Sequence, residues 1–220
     1  MTTYIPTCET AVSTVPEWHR ITFKGKEDQL TSSTGWSPGA LNLAQGIAMK
    51  LHAPLLHSDV TRLLIDLNKH PEDEARWSSF SKGLTDDQRE KLDRRSKLSF
   101  LENLQSRIEA SLKRQEKTIH LSLDTSVELE PGRILFEFDS RRAIEGDCVA
   151  AWKKALLTQL PDFSIDQTAP PSRCLSSYLR DLYPELGSIR LTVAQSAFLE
   201  GKPIPWMKLK KIIIDAIPRD

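Results

Sequence analysis

The chain has 220 residues, and its 30 lysines and arginines are matched by 30 aspartates and glutamates, giving a formal net charge of zero. That balance leaves no global field to attract nucleic acid or an anionic membrane surface, and no apolar run reaches the roughly 18 residues of a membrane span. The opening residues MTTYIPTCET have neither the basic start nor the apolar core of a signal peptide, so a cytoplasmic location is expected. Cys8, Cys148 and Cys174 are odd in number and widely spaced, which suggests neither a disulfide frame nor a Cys-based zinc site. No Gly/Ser-rich or Pro-rich linker divides the chain, and one domain over 1–220 with a sizeable core is expected.

The stretch PGALNLAQGIAMKLH predicts a helix over 38–52, with Leu41, Ala44, Ile47, Ala48 and Leu51 on one face and Pro38 near its start. TRLLIDL (61–67) reads as a strand. From Glu72 to Arg95 the chain is strongly charged, and TDDQREKLDRR fits a solvated helix. A helix over 97–115 aligns Leu98, Leu101, Leu104, Ile108 and Leu112. TIHLSL (118–123) and RILFEF (133–138) are strand-like, rich in β-branched and large apolar residues. The next helix, over 144–160, carries the stripe Val149, Trp152, Leu156 and Leu160. IRLTVAQ (189–195) is a further strand, and a helix over 206–217 turns Trp206, Leu209, Ile213 and Ile217 inward and Lys208 and Lys211 outward. Strands alternating with helices of this length predict an α/β layered fold around a mixed sheet.

Common catalytic signatures are missing: there is no HExxH, GxSxG, Walker loop or GxGxxG. The five histidines never pair at ligand spacing. His70 with Glu72, Asp73 and Glu74 could chelate a metal, but acidic residues at a helix N-terminus explain the same pattern. His120 falls inside an apolar strand, where a buried, hydrogen-bonded imidazole is expected. Arg62, Asp66, Asn68 and Lys69 form the more informative group. On a strand Arg62, Asp66 and Asn68 share a face, and ligands of open α/β sheets gather at the carboxyl ends of strands. The planar fork of an arginine matches a carboxylate. An Arg62–Asp66 ion pair fixing the strand end fits the same spacing.

Five segments then carry a family likeness in order along the chain. They are TCETAVSTVP (7–16), GWSPGALNLAQGIAMKLHAPLL (35–56), VTRLLIDLNK (60–69), TIHLSLDTSVELEPGRILFEF (118–138) and LSSYLRDLYPELGSIRLTVAQ (175–195). Together they resemble the N-formylglutamate amidohydrolase family. The resemblance implies a three-layer α/β/α fold with a mixed central sheet, similar to zinc-dependent exopeptidase and phosphorylase/hydrolase-like folds. It also implies hydrolysis of an N-formyl amino acid by a metal that polarises the carbonyl and activates water. The family's catalytic positions fall here on Thr10, Ser37, Asp124 and Thr192, each change removing an imidazole or a carboxylate. Glu9 and Asp124 remain as metal candidates, an oxygen-only pair better suited to magnesium or calcium than zinc. Arg62, Asn68, Lys69 and Arg133 stand where the resemblance places substrate contacts.

The expectation is therefore a divergent member without zinc-dependent hydrolysis, needing no cofactor, that retains a pocket for a small carboxylate or N-acyl amino acid. An active enzyme using Glu9, Asp124 and His120 with zinc is one alternative. A non-catalytic scaffold in which Arg62 simply pairs with Asp66 is the other.

Overall fold

The computed structural model describes residues 2–199 and 203–219. Its strands are β1 (Thr2–Cys8), β2 (Leu56–His57), β3 (Lys117–Ser126), β4 (Arg133–Glu137), β5 (Ser164–Thr168) and β6 (Gly187–Ala194). They form a six-stranded sheet in the order β2-β1-β3-β6-β4-β5. β1, β2, β3 and β6 run parallel, whereas β4 is antiparallel to β6 and parallel to β5, so the sheet is mixed as expected. The helices are α1 (Glu27–Thr31), α2 (Ala40–Leu51), α3 (Ser79–Lys82), α4 (Asp86–Ser96), α5 (Glu102–Lys113), α6 (Ala143–Gln159), α7 (Leu175–Leu182), α8 (Ser196–Leu199) and α9 (Pro203–Asp215). Among the described residues no helix is long and apolar enough to cross a membrane.

Period-two alternation decides how the layers stack. Ile119, Leu121 and Leu123 of β3 share a face with Ile189, Leu191 and Val193 of β6 and with Ile134 and Phe136 of β4. This face packs against α2, α6 and α9, burying Leu43, Ile47, Trp152, Leu156, Leu209 and Ile213 in the main core. On the opposite side α5 and α7 close over Ile5 and Leu56 with Leu104, Ile108 and Leu179. Two helical layers thus enclose one sheet.

A third apolar cluster, with Phe23, Leu64, Ile65, Trp77, Phe80 and Leu92, lies outside the sheet. It corrects the reading of 61–67 as a strand. The segment is a chain of turns: Leu64 N–H donates to Thr61 O at 3.0 Å and Asn68 N–H to Asp66 Oδ1 at 3.0 Å. Thr61 Oγ1 reaches back to Gly35 O at 2.7 Å. Hydroxyl and carboxylate side chains thus serve backbone groups locally, offering the chain an alternative to a ladder. Leu64 and Ile65 still become buried, and a short apolar run has that appearance in either structure.

The helix expected over 97–115 begins with a π-turn at Lys97–Leu101 that continues α4 into α5. One extra residue per turn rotates the later stripe. Leu104 and Ile108 stay buried, but Leu98 swings out to 54% exposure. Asp73 caps the short turn Glu74–Arg76 by accepting from Ala75 N at 2.9 Å and pairs with Arg173, so the acidic cluster near His70 serves a helix start.

Trp152 is the largest wholly buried side chain. Its Nε1–H donates to Ile213 O at 3.1 Å, and its ring centroid lies 5.3 Å from that of Phe136. It therefore joins α6 to the sheet and to α9. Trp152→Ala is expected to lower the free energy of urea unfolding by about 3–5 kcal/mol; a loss near 0.5 kcal/mol, the size of a surface change, would contradict this packing.

Candidate functional site

The face of the sheet beneath α5 and α7 is polar toward the strand ends. Register places Ile5, His120 and Ser188 in one row, then Thr7, Ser122, Arg190 and Glu137, then Asp124, Thr192 and Leu135. Each is the odd or even partner of the apolar core residues, so one alternation produces both a core face and a chemical face.

Two buried carboxylates occupy this face. Glu9, just past β1, accepts from Thr7 Oγ1 at 2.5 Å and from Ser122 Oγ at 2.7 Å. His120 Nε2 stands 2.8 Å from Thr7 Oγ1 and 3.7 Å from Glu9 Oε1, and its Nδ1 is 2.8 Å from Ser188 Oγ. Thr7 gives its one proton to Glu9, so it must accept from His120, which puts a proton on Nε2. His120 is thus the buried, hydrogen-bonded imidazole that its place in the strand implied. Burial raises the Glu9 pKa, but the neighbouring imidazole and the two hydroxyls outweigh it, leaving the carboxyl below its ordinary range.

Asp124 accepts from Thr10 Oγ1 at 2.7 Å and Thr125 N at 2.9 Å, and it forms an ion pair with Arg190. Burial pushes its pKa up, while the Arg190 charge and hydrogen bonds from Ser37, Thr10 and Arg190 hold it below the usual carboxylate range. The Arg190 Nε also lies 3.5 Å from Glu137 Oε2. Burial disfavours the charged guanidinium, but Asp124 and then Glu137 outweigh it and raise its pKa further.

Arg62 enters from the turn segment. Its Nη2 donates to Ser33 O and Trp36 O, each at 2.8 Å, and to Ser37 Oγ at 3.0 Å. Those acceptors are neutral, and no carboxylate of the described residues lies within ion-pair distance of Arg62. Gly39, at φ +93°, completes the loop that holds them; a Cβ there would come within 2.8 Å of the Phe198 ring. Arg62, Asp124, Glu137, Arg190, Thr192 and Gln195 reach a common cleft of about 340 Å³ at the carboxyl ends of β3 and β6.

The four positions singled out by the resemblance do converge. Thr10 and Ser37 both bond Asp124, and Thr192 is the ladder partner of Asp124. Arg62 joins them through Ser37. The other substrate candidates do not. Asn68 borders a narrow crevice of about 20 Å³ beside His120 and Ser122, which shares Glu137 and Arg190 with the cleft. Lys69 bridges the backbone of Cys174 on an outer surface. Arg133 projects outward from β4 and faces Asp166 at 3.4 Å. Asp66 bonds its own turn and is not paired with Arg62, which removes that form of the scaffold reading. Gln195 is retained from the closing segment of the family resemblance, whereas Arg190 was not anticipated as a site residue; its only signal was a charge set between Ile189 and Leu191 in an apolar strand.

The donors present fit a metal poorly. Asp124 is committed to Arg190 and Thr10, Glu9 to Thr7 and Ser122, and His120 to Thr7 and Ser188. Among the described residues no group of three or more His, Cys, Asp or Glu is placed to hold a metal ion, so the trio Glu9, Asp124 and His120 is not a preformed zinc site. A larger groove of about 570 Å³ runs between Trp18 and α4. Its walls are exposed or half-exposed side chains with no convergent buried polar group, which makes it the weaker candidate.

Similarity to known proteins is limited to the fold. The chain is similar to the crystal structure of gene product Atu2144 from Agrobacterium tumefaciens, with a TM-score of 0.67 and 19% identity over 97% of this chain and 89% of that one. No family model matches the chain, and no curated protein matches it significantly. At that identity the likeness establishes an α/β fold and nothing about chemistry.

Because Asp124 and Glu9 are depressed in the folded state, they stabilise the fold fully above the unfolded carboxylate range, about pH 4. That contribution disappears as the pH falls through their lower folded values. The contribution of these two carboxylates to the unfolding free energy is expected to stay level from pH 7 to 5 and to fall below about pH 4, and it is read from the difference between the unmodified chain and Asp124→Asn. Asp124→Asn should lose about 3 kcal/mol at pH 7 by removing the closer carboxylate partner of Arg190, which keeps only Glu137 at 3.5 Å, and show a flatter acid limb. An unchanged acid limb would remove Asp124 from this role.

Proposed function

We propose that this chain binds a small carboxylate-bearing molecule in the cleft at the ends of β3 and β6, without zinc-dependent hydrolysis. The observation that supports this reading is Arg62: a guanidinium on the cleft wall whose hydrogen-bond partners are all neutral. A cation without a carboxylate partner, beside a cleft of small-molecule size, suits an anion better than a neutral ligand. Thr192 supplies a hydroxyl alongside it. The likeness of the five sequence segments to N-formylglutamate amidohydrolases adds amino acids and their N-acyl derivatives as the first ligands to try. Descent from that family, with its exopeptidase-like fold, belongs to the same proposal. Hydrolysis in that family's manner would need a held metal and an open coordination position, and the groups at the corresponding positions are engaged with one another instead.

Thermal unfolding with glutamate, N-formylglutamate and glutarate tests the reading. A ligand that binds only the folded state at 100 times its Kd stabilises by about 2.7 kcal/mol, which is several degrees for a chain of this size. Arg62→Lys is expected to fold but to lose most of that shift, since a single ammonium cannot both hold the Ser33, Trp36 and Ser37 oxygens and offer a further N–H to a ligand from the same place. An undiminished shift in the variant, or stoichiometric zinc by elemental analysis of protein purified without chelators, would overturn the proposal.

A further inference from the structure

The charges on α4 run in an order that is its own complement when reversed. Asp86 and Asp87 open the helix, Arg94 and Arg95 stand near its end, and Glu90 and Lys91 meet in the middle. All six side chains are exposed. Asp87, Lys91, Arg94 and Arg95 line the groove of about 570 Å³ together with two apolar side chains, Trp18 and Leu98. These are 56% and 54% exposed, so large apolar surface flanks the charged stripe. Among the described residues Asp86, Glu90 and Arg94 make no ion pair, while Asp87 meets Lys91 on the same helix and Arg95 meets Asp59. Exposed pairs of that kind contribute little to stability and are readily exchanged for others. A groove with no convergent buried polar group suits a protein surface better than a small ligand, and tryptophan and arginine are the side chains that anchor such contacts.

We infer that the groove beside α4 is a self-association surface, on which a second copy of this chain packs its own α4 antiparallel across a two-fold axis. With Glu90 facing Lys91 of the other copy, Asp87 meets Arg94 and Asp86 meets Arg95, and the axis repeats each unlike pair. Parallel apposition would instead set Asp87 on Asp87 and Arg94 on Arg94. A slip of one turn from the antiparallel register would oppose Lys91 with Arg94, or Asp87 with Glu90. The charges therefore choose the direction of the partner, and Trp18 and Leu98 supply the apolar contact. An interface built on one helix of 11 residues and two apolar side chains is small, so the dimer is weak and exchanging.

Sedimentation equilibrium of the unmodified chain over a wide range of concentrations is expected to show monomer and dimer in exchange. Raising the ionic strength from about 0.1 to about 1 M shortens the Debye length from about 10 to about 3 Å, and the dimer should weaken about fivefold or more. Two charge-reversed variants read the register: Asp87→Lys with Glu90→Lys, and Lys91→Glu with Arg94→Glu. Each alone should dimerise about tenfold or more weakly, because like charges then face each other. Mixed in equal amounts they should recover a heterodimer of about the original strength, since every reversed charge again meets its opposite. A chain that stays monomeric at every concentration would overturn the inference and leave the groove to a partner of different sequence. A dimer equally strong in each variant alone, or one lost in both and not recovered on mixing, would overturn it too. The concentration and salt series needs no variant and decides the matter if either variant folds poorly.

Discussion

An ionised carboxylate inside a sheet covered on both faces needs hydrogen bonds or a compensating cation, since removing a charge from water alone costs several kcal/mol. Asp124 and Arg190 satisfy that condition across the β3–β6 ladder, and much of the architecture follows from it. Arg190 sits opposite Ser122 in register, one step before Thr192, the residue opposite Asp124. A slip of one residue would turn its guanidinium into the apolar core beneath α2 and α6. The pair therefore fixes the strand register as well as the charge. With the register fixed, the ends of β3 and β6 lie level, and the cleft opens where they stop.

A second buried clamp shows what a purely structural ion pair looks like in the same molecule. Glu145, at the start of α6, accepts two bonds from Arg180, both at 2.8 Å, together with Ser188 N at 3.0 Å and Asp139 N at 2.8 Å. Every acceptor position of the carboxylate is used, and α6, α7 and β6 are tied together. No capacity is left for a ligand. The cleft residues differ in that respect: Arg62 Nε, Arg190 Nε and Gln195 Oε1 are buried without a hydrogen-bond partner among the described residues. A folded chain keeps few such groups, because each is a net cost to stability.

Much of this fold was legible in the sequence, and the parts that were not have specific causes. β3, β4 and β6 read clearly because large apolar residues alternate with polar ones between breakers. α6 and α9 read clearly because Trp152, Leu156, Leu209 and Ile213 recur at helical spacing. β5 has the composition SIDQT, an edge strand whose mostly exposed side chains carry no apolar pattern. β1 was hidden by Pro6 and by threonines that face the polar side. The segment 61–67 misled because burial in a satellite cluster needs the same residues as burial in a sheet. At the site, the convergence of Thr10, Ser37, Asp124 and Thr192 was visible only through the order of the five segments. Arg133 and Lys69 could not be placed because a charge at an element's end carries no information about the face on which it lies. Arg190 was overlooked for the opposite reason: its face was readable, but a lone arginine in a strand looks like a solvated residue until the layer above it is known.

The two arginines of the cleft differ in how far their charge is met. A guanidinium supplies only N–H donors; it cannot accept a water oxygen into a coordination shell and lower that water's pKa as a metal does. Arg190 compensates Asp124 and Glu137 at once, so its charge is already met by two carboxylates. An incoming anion near it would face those two negative charges at close range. Arg62 is held only by carbonyls and a hydroxyl, which orient the guanidinium without neutralising it. Arg62 is therefore a cleft arginine with no carboxylate in ion-pair contact among the described residues. Compensated and uncompensated charge are thus divided between two arginines, and the division follows from which acceptors each one has.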